Sequence, residues 1–238
     1  MTFVRARVMG EEVRLLTYGV AGTEASAGAQ RRLWLVSVVV GVGLGVFSQL
    51  ADGIIGGRLF GLLGNIASPW GLAAFFVGRL TTSPKRGAAA GALTLVVGVA
   101  VYYLFGAVRG YDVGALNLVW TTVALVAGPV MGWSGAAISA EPERPPVLAV
   151  AAPAAMLVAV ALFLAIDRRI WRSNLAAETY RLIDLGVMVA LLVGGLVLPL
   201  VLEKDRRRRR LVYVVVALAG VGGALAFVGL REFISRIA

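Results

Sequence analysis

The hydrophobic positions of this chain form long runs, and the polar positions cluster in short segments between them. Each run has about 20 residues, the length that a helix needs to cross the ~30 Å hydrocarbon core of a membrane. We therefore predict an all-α fold, a polytopic bundle of about seven transmembrane helices. The predicted spans are 33–51, 59–80, 88–106, 115–138, 147–166, 182–202 and 211–230.

Polar residues dominate 1–32, ahead of the first run. We interpret this segment as a cytoplasmic N-terminal tail, followed by a single transmembrane domain over 33–238. Both the tail and the first run are longer than the matching parts of a cleaved signal peptide, so we expect the first helix to be retained. Within the tail, Ala21–Gln30 is rich in glycine, alanine and serine, which is typical of a flexible segment.

Proline and glycine mark the places where the helices bend and pack. Pro69 lies in the middle of the second span, and we predict a kink near Ala67–Ser68 because proline removes a backbone donor. Glycines four residues apart predict close contacts between helices. These pairs are Gly41/Gly45, Gly57/Gly61, Gly87/Gly91 and Gly128/Gly132.

The composition excludes several kinds of chemistry. The chain is 59% hydrophobic and 15% charged, with a mean hydropathy of +0.87, whereas soluble domains are ~45–50% apolar and ~25% charged. It contains no cysteine and no histidine. Disulfides, thiolate- or histidine-ligated metal sites and catalytic pairs that depend on histidine are therefore excluded. We expect no enzymatic activity, no metal and no cofactor.

The basic residues predict an orientation. The net charge is +10, and lysine and arginine accumulate in the cytoplasmic segments of membrane proteins. A cytoplasmic N-terminus places most of the 23 lysines and arginines on that side. We therefore predict a multi-pass protein of the cell membrane with its N-terminus in the cytoplasm, and no binding of nucleic acid.

Five consecutive arginines follow the sixth span: Arg206, Arg207, Arg208, Arg209 and Arg210. On the cytoplasmic face they would attract anionic lipid headgroups, at ~1 kcal/mol per residue near the surface. Two alternatives stay open for the arginine run, an anchor for the topology alone and a docking site for an acidic cytoplasmic partner. For the chain as a whole, a protein partner or a homo-oligomer also stays open. A second basic segment, 167–181, contains Trp171 and Tyr180, which favours a short interfacial helix over a plain polar loop.

Polar residues inside the second and fourth spans are candidates for a binding site. Asn65, Ser68 and Trp70 surround Pro69. An amide in hydrocarbon must find a partner, and transporters build substrate sites from polar groups beside broken helices. Asn117 in the fourth span precedes a tryptophan as Asn65 does. The alternative is structural: a packing kink, and separate hydrogen bonds between helices.

Acidic residues near the predicted outer helix ends are a second kind of candidate. Asp184 lies among apolar neighbours, and intramembrane acids are often functional. The alternative is an ion pair with Arg181, three residues earlier on one helix face. Asp52 lies at another outer helix end. Ser48 and Gln49, one turn before Asp52, are candidates to form an outward-facing polar vestibule with it.

Short motifs between residues 61 and 104 carry a resemblance. They are Leu63-Gly64-Asn65, Ser68-Pro69-Trp70, Ser83-Pro84-Lys85-Arg86-Gly87 and Tyr102-Tyr103. With them the chain resembles a family of uncharacterised integral membrane proteins of high-GC bacteria. The resemblance implies a multi-span bacterial membrane protein and gives no activity.

Two functions therefore remain. The first is binding or passage of a small molecule, with stacking on the tryptophan and hydrogen bonds from the amides; its pocket residues would be Asn65, Ser68, Trp70, Asn117 and Asp184. The second is a non-catalytic membrane scaffold that binds a protein partner or anionic lipid through the arginine run or the 167–181 segment.

Overall fold

The computed structural model describes residues 2–53, 57–110, 114–166 and 178–237, with nearly all side chains from residue 27 onward. This part of the chain is all-α and contains no strand, as predicted. Its eight helices are α1 (Thr2–Gly53), α2 (Arg58–Asn65), α3 (Ala67–Gly78), α4 (Pro84–Val108), α5 (Gly114–Ala140), α6 (Val147–Ile166), α7 (Glu178–Leu202) and α8 (Arg206–Ile237).

Six of these helices have stretches long and apolar enough to cross a membrane: α1, α4, α5, α6, α7 and α8. The α2–α3 pair, bent by 50° at its break, makes a seventh crossing if it is taken as one span. The prediction of an all-α bundle with about seven spans is confirmed on that basis.

The N-terminal region differs from its predicted form. The backbone of α1 is helical from Thr2, so the prediction of a flexible Ala21–Gln30 segment is wrong. Alanine, Glu24 and Gln30 are strong helix formers, and they outweigh the two glycines of that segment. The chain divides into two units, Met1–Val36 and Ser37–Ala238, and the features below all lie in the second.

Helix α6 is the best buried of the candidate spans. It contacts α3, α5, α7 and α8, and 67% of its apolar stretch is buried. Its many alanines allow close approach, and Val150, Ala154 and Val158 share one core cluster with Val212 and Val216 of α8. The interior of the second unit is therefore built around α6.

Glycine contacts bring α1, α4 and α5 together. A Cβ on Gly41 would lie 2.5 Å from the carbonyl oxygen of Thr94, and a Cβ on Gly45 would overlap that of Gly98. Between α4 and α5, Cβ atoms on the glycines of either helix would likewise overlap backbone atoms of the other. The packing prediction is therefore confirmed for Gly41/Gly45, Gly87/Gly91 and Gly128/Gly132.

The prediction is wrong for Gly57/Gly61. A Cβ at Gly57 would meet no described atom within 4 Å, and one at Gly61 would only touch the carbonyl oxygen of Ala51 at 4.0 Å. Gly57 has φ +140°, a backbone conformation that other residues rarely adopt. This glycine serves the chain's entry into α2 rather than a helix contact.

Candidate functional site

The second predicted span is broken between α2 and α3. Ile66 separates the two helices with an extended backbone, φ −80° and ψ 146°. Pro69 falls in the first turn of α3, where its missing N–H costs no hydrogen bond within the helix. The predicted kink is confirmed, one residue earlier than expected.

The Gly64 carbonyl group lies in the last turn of α2, where the break removes the next turn of the helix, and side chains satisfy it. Its oxygen accepts hydrogen bonds from Ser48 Oγ at 2.7 Å and from Trp70 Nε1 at 3.0 Å. Ser48 belongs to α1, which approaches closely because Gly64 has no Cβ; such an atom would lie 2.9 Å from Ala51 Cβ. The irregular backbone is therefore held from both sides.

Three side chains from three helices meet beside the break and form what we name the Asp52 cluster: Asp52 of α1, Asn65 of α2 and Tyr102 of α4. Asn65 Nδ2 donates to Asp52 Oδ1, and the Tyr102 hydroxyl donates to Asp52 Oδ2 at 2.6 Å. Asn65 also donates to the carbonyl oxygen of Gly61 at 2.9 Å. The carboxylate thus links α1, α2 and α4.

A cavity of about 560 Å³ begins at the Asp52 cluster. Asp52 and Asn65 are exposed, so this polar end is open. The rest of the lining is mostly apolar, and Leu95, Ala127 and Met156 lie near the midpoints of α4, α5 and α6. The cavity therefore extends from the helix ends to the middle of the bundle.

Gln49 is a buried polar residue of the lining with an unpaired acceptor. It lies three residues before Asp52, on the same face of α1. Its side chain is 4% exposed, and its Oε1 has no hydrogen-bond partner in the part of the chain that the structure describes. An unpaired buried acceptor costs about 1–3 kcal/mol, which a donor group of a ligand would recover.

The candidate residues of the second and fourth spans have different environments. Asn65 and Trp70 line the cavity, whereas Ser68 is buried outside its described lining. Asn117 is also outside that lining, and its Oδ1 accepts from Thr121 Oγ1 at 3.2 Å on the same helix. The tryptophan that follows it, Trp120, does line the cavity.

Asp184 lies in an ion pair away from the described lining. Its side chain is buried, and Arg58 donates to it from Nε at 2.7 Å and from Nη2 at 2.5 Å. The described cation of this pair comes from α2, not from Arg181 on Asp184's own helix. The pair joins the first residue of α2 to the start of α7.

Sequence reasoning missed part of the lining. Tyr102, Tyr103, Met156 and Phe227 contribute aromatic or soft apolar surface, and only the two tyrosines had been noted, as part of a family motif. The proposed vestibule at Asp52 was the signal closest to the site. Nothing in a single sequence indicates that residues 50 positions apart, such as Asp52 and Tyr102, share a hydrogen bond.

The sequence matches a family of unknown function, DUF6518, over residues 24–233. The chain belongs to this family. The match contains every described residue of the cavity, and it confirms the resemblance to an uncharacterised family. No curated protein and no solved structure matches the chain.

Three predictions are not tested by this family assignment. The apolar helices support a membrane protein, whereas the cell membrane, the cytoplasmic N-terminus and the high-GC bacterial source stay predictions. Most of the proposed 167–181 interfacial helix, residues 167–177, lies outside the described residues. Within the described ranges, no group of three or more acidic side chains forms a potential metal site.

The arginine run begins α8, directly after an acidic turn. Asp205 caps the helix, because its Oδ1 accepts from the backbone N–H of Arg207 at 2.8 Å. This hydrogen bond lowers the pKa of Asp205. Glu203 is 1% exposed; its carboxylate accepts from the Asp205 N–H at 3.0 Å and pairs with Arg208 Nη1 at 3.3 Å.

The five arginines fall into two groups. Arg208 donates to the carbonyl oxygen of Pro145 at 2.6 Å, and Arg209 donates to that of Glu203 at 2.7 and 2.9 Å. These two are half-buried, whereas Arg206, Arg207 and Arg210 are exposed. Two arginines thus fix the α7–α8 turn, and three are presented outward.

Proposed function

We propose that this protein binds a small molecule with a largely apolar body and passes it across the membrane. The observation that carries this proposal is the cavity of about 560 Å³ at the broken helix. Its volume lies within the ~300–1,000 Å³ of small-molecule sites. Asp52, Asn65 and Tyr102 lie together at one end, next to the break between α2 and α3. Transporters build their sites beside such discontinuous helices.

The packing of the two half-helices supports passage in addition to binding. Helix α2 contacts α7 and is joined to it by the Arg58–Asp184 pair, whereas α3 packs on α4, α5 and α6. Ile66 connects the halves with a single extended residue. A rotation of α2 with α7 about Ile66 would change access to the cavity while α3 stayed in place. This rotation has to break the hydrogen bonds that hold Gly64 and Asn65 to α1 and α3.

We propose binding and passage rather than catalysis because the chain contains neither histidine nor cysteine. The lining offers a carboxylate, two amides, two tyrosines and two tryptophans. These groups suit hydrogen bonding and stacking.

The absence of native cysteine makes a clean accessibility experiment possible. Val123 lines the cavity, and Val126 on the same helix is 64% exposed on the bundle surface. We expect Val123→Cys to react with a water-soluble methanethiosulfonate reagent and Val126→Cys, facing lipid, to stay unmodified. An unreactive Val123→Cys would overturn the proposal.

The side of access separates binding from passage. The same two variants are treated in intact cells and in inside-out vesicles. Passage requires that Val123→Cys reacts from both sides, because the cavity must open to each in turn. Reaction from one side only would be consistent with binding and would overturn the proposed passage.

We also propose that Arg206, Arg207 and Arg210 contact anionic lipid headgroups. The observation that favours this surface is that these three are exposed while Arg208 and Arg209 are held by the α7–α8 turn. Its test is given in the Discussion.

A further inference from the structure

We propose that the ligand carries a cationic ammonium group, which lies between the Asp52 carboxylate and the Gln49 amide oxygen. The apolar body of the ligand then extends toward Met156. This inference rests on the proposed binding function and adds the charge and hydrogen-bonding character of the ligand.

The polar end of the cavity offers acceptors with remaining capacity. The Gly64 carbonyl oxygen already accepts two hydrogen bonds. Each oxygen of Asp52 accepts one described hydrogen bond, whereas a carboxylate has about four acceptor sites. Gln49 Oε1 accepts none from the described residues. A ligand that donates hydrogen bonds matches these atoms. Gln49 Oε1 is itself buried, so the Gln49 side chain has to turn toward the cavity to meet the ligand.

Aromatic rings and charge favour a cation. Five aromatic side chains line the cavity: Trp70, Tyr102, Tyr103, Trp120 and Phe227. Ring faces attract ammonium groups within about 6 Å. The described lining contains the acid Asp52 and neither lysine nor arginine. The neutral donors Asn65 and Tyr102 orient this carboxylate without cancelling its charge.

The start of α3 is the feature that would favour an anion. Ile66 and Ala67 belong to the lining, and a helix N-terminus attracts negative charge. Pro69 removes one of the backbone donors of that first turn, and the carboxylate of Asp52 repels an anion in the same cavity. The balance therefore favours the cation.

Four probes of similar size separate charge from hydrogen bonding. They are 2-phenylethylammonium, its N,N,N-trimethyl derivative, 2-phenylethanol and 3-phenylpropanoate, titrated calorimetrically into the full chain in dodecyl maltoside micelles. We expect the primary ammonium to bind most tightly, and the alcohol and the carboxylate to bind at least about tenfold more weakly.

Two variants assign the contacts. Asp52→Asn should weaken both cations about tenfold and leave the alcohol unchanged. Gln49→Met, which removes the acceptor at similar volume, should weaken the primary ammonium and the alcohol but not the trimethyl derivative. Their melting temperatures, compared with that of the unmodified chain, show whether each variant is folded.

A matched pair of α5 variants separates the proposed binding function from the proposed positive charge of the ligand. Val123→Phe should abolish binding of every probe, and Val126→Phe, on the outer face of α5, should change none. If both behave alike, or no probe binds, the proposed function is wrong. If Val123→Phe blocks binding but the alcohol or the carboxylate binds as tightly as the ammonium, only the cationic ligand is overturned.

A competition experiment with a lipid identifies the source of the ammonium group. Phosphatidylethanolamine that competes with 2-phenylethylammonium would mean that a lipid headgroup supplies the cation. Binding unaffected by the lipid would mean a free amine. Both outcomes retain the ammonium, and each requires that Asp52→Asn weakens it.

Discussion

Asp52 and Asp184 are both acids at helix ends on the predicted outer side, and they have opposite surroundings. Asp184 is 3% exposed and both of its oxygens accept from one arginine. Asp52 is exposed, and its described donors are an amide and a hydroxyl. Asp184 is paired with an arginine inside the bundle, whereas Asp52 lies beside a cavity without a described cation.

The different surroundings of Asp52 and Asp184 show which intramembrane acid is available to a ligand. Apolar flanking residues indicate that Asp184 is buried, but a buried carboxylate requires a cation and full hydrogen bonding. Its charge is then balanced by Arg58 and shielded from a ligand. Each oxygen of Asp52 also accepts one described hydrogen bond, but Asp52 is exposed beside a cavity and has no described cation. Exposure and an unbalanced charge, rather than the number of hydrogen bonds, are therefore the better guide to a binding site.

The largest expected effect comes from breaking the buried pair. Arg58→Met leaves Asp184 buried without its described cation, and we expect it to lower the free energy of unfolding by about 3 kcal/mol. Asp52→Asn, at an exposed site, should change it by less than about 1 kcal/mol. Denaturant unfolding in micelles measures both, and equal losses would remove the distinction between the two acids.

A double variant provides the control for this loss. Arg58→Met with Asp184→Leu replaces both charges by apolar groups, and we expect it to regain most of the stability. A double variant as unstable as Arg58→Met would mean that the arginine acts through contacts other than Asp184.

The next effect tests the helix contact that positions Asp52 beside Tyr102. A Cβ at Gly45 would overlap the Gly98 carbonyl oxygen and lie 2.9 Å from the Tyr102 backbone nitrogen, whereas one at Gly43 would meet no described atom within 4 Å. We expect Gly45→Ala to cost about 2 kcal/mol and to weaken ammonium binding. Gly43→Ala should change neither, and similar losses in the two variants would contradict this packing.

The arginine run extends the comparison from acids to bases. Replacing Arg206, Arg207 and Arg210 by alanine should weaken binding of phosphatidylglycerol by about 1 kcal/mol per residue, as measured by thermophoresis in micelles. The triple lysine variant retains the charge and should bind almost normally. Unchanged binding by the alanine variant would exclude this surface as the lipid contact.

The smallest effect concerns Asp205, an exposed acid with a purely local role. Its pKa is lowered by the hydrogen bond from Arg207. The stability that it contributes is therefore present above the ordinary aspartate pKa of about 4 and is lost as the pH falls through the lowered value. Asp205→Asn keeps the capping oxygen without titrating. The melting temperature of the unmodified chain should fall more steeply below about pH 4 than that of the variant.

Periodic and local features were predictable from the sequence. The lengths of the apolar runs predicted the spans, and most glycine pairs lie at helix contacts. The kink that Pro69 predicted at Ala67–Ser68 lies one residue from the observed break at Ile66. The partners of Asp184 and Asp52 were not predictable, because they are 126 and 50 residues away. Such pairings follow from how helices are arranged around α6, which no local pattern encodes.

The Arg58–Asp184 pair also has a consequence for the order in which the protein is made. The two residues are 126 positions apart, so synthesis at ~5–20 residues per second separates them by about 10 s. During that interval Arg58 has to stay near water. We expect ribosome-arrested chains that end before α7 to leave α2 open to protease, and chains that include α7 to protect it. Docking of α2 would then be a late step of membrane insertion, although α2 is synthesised before α7.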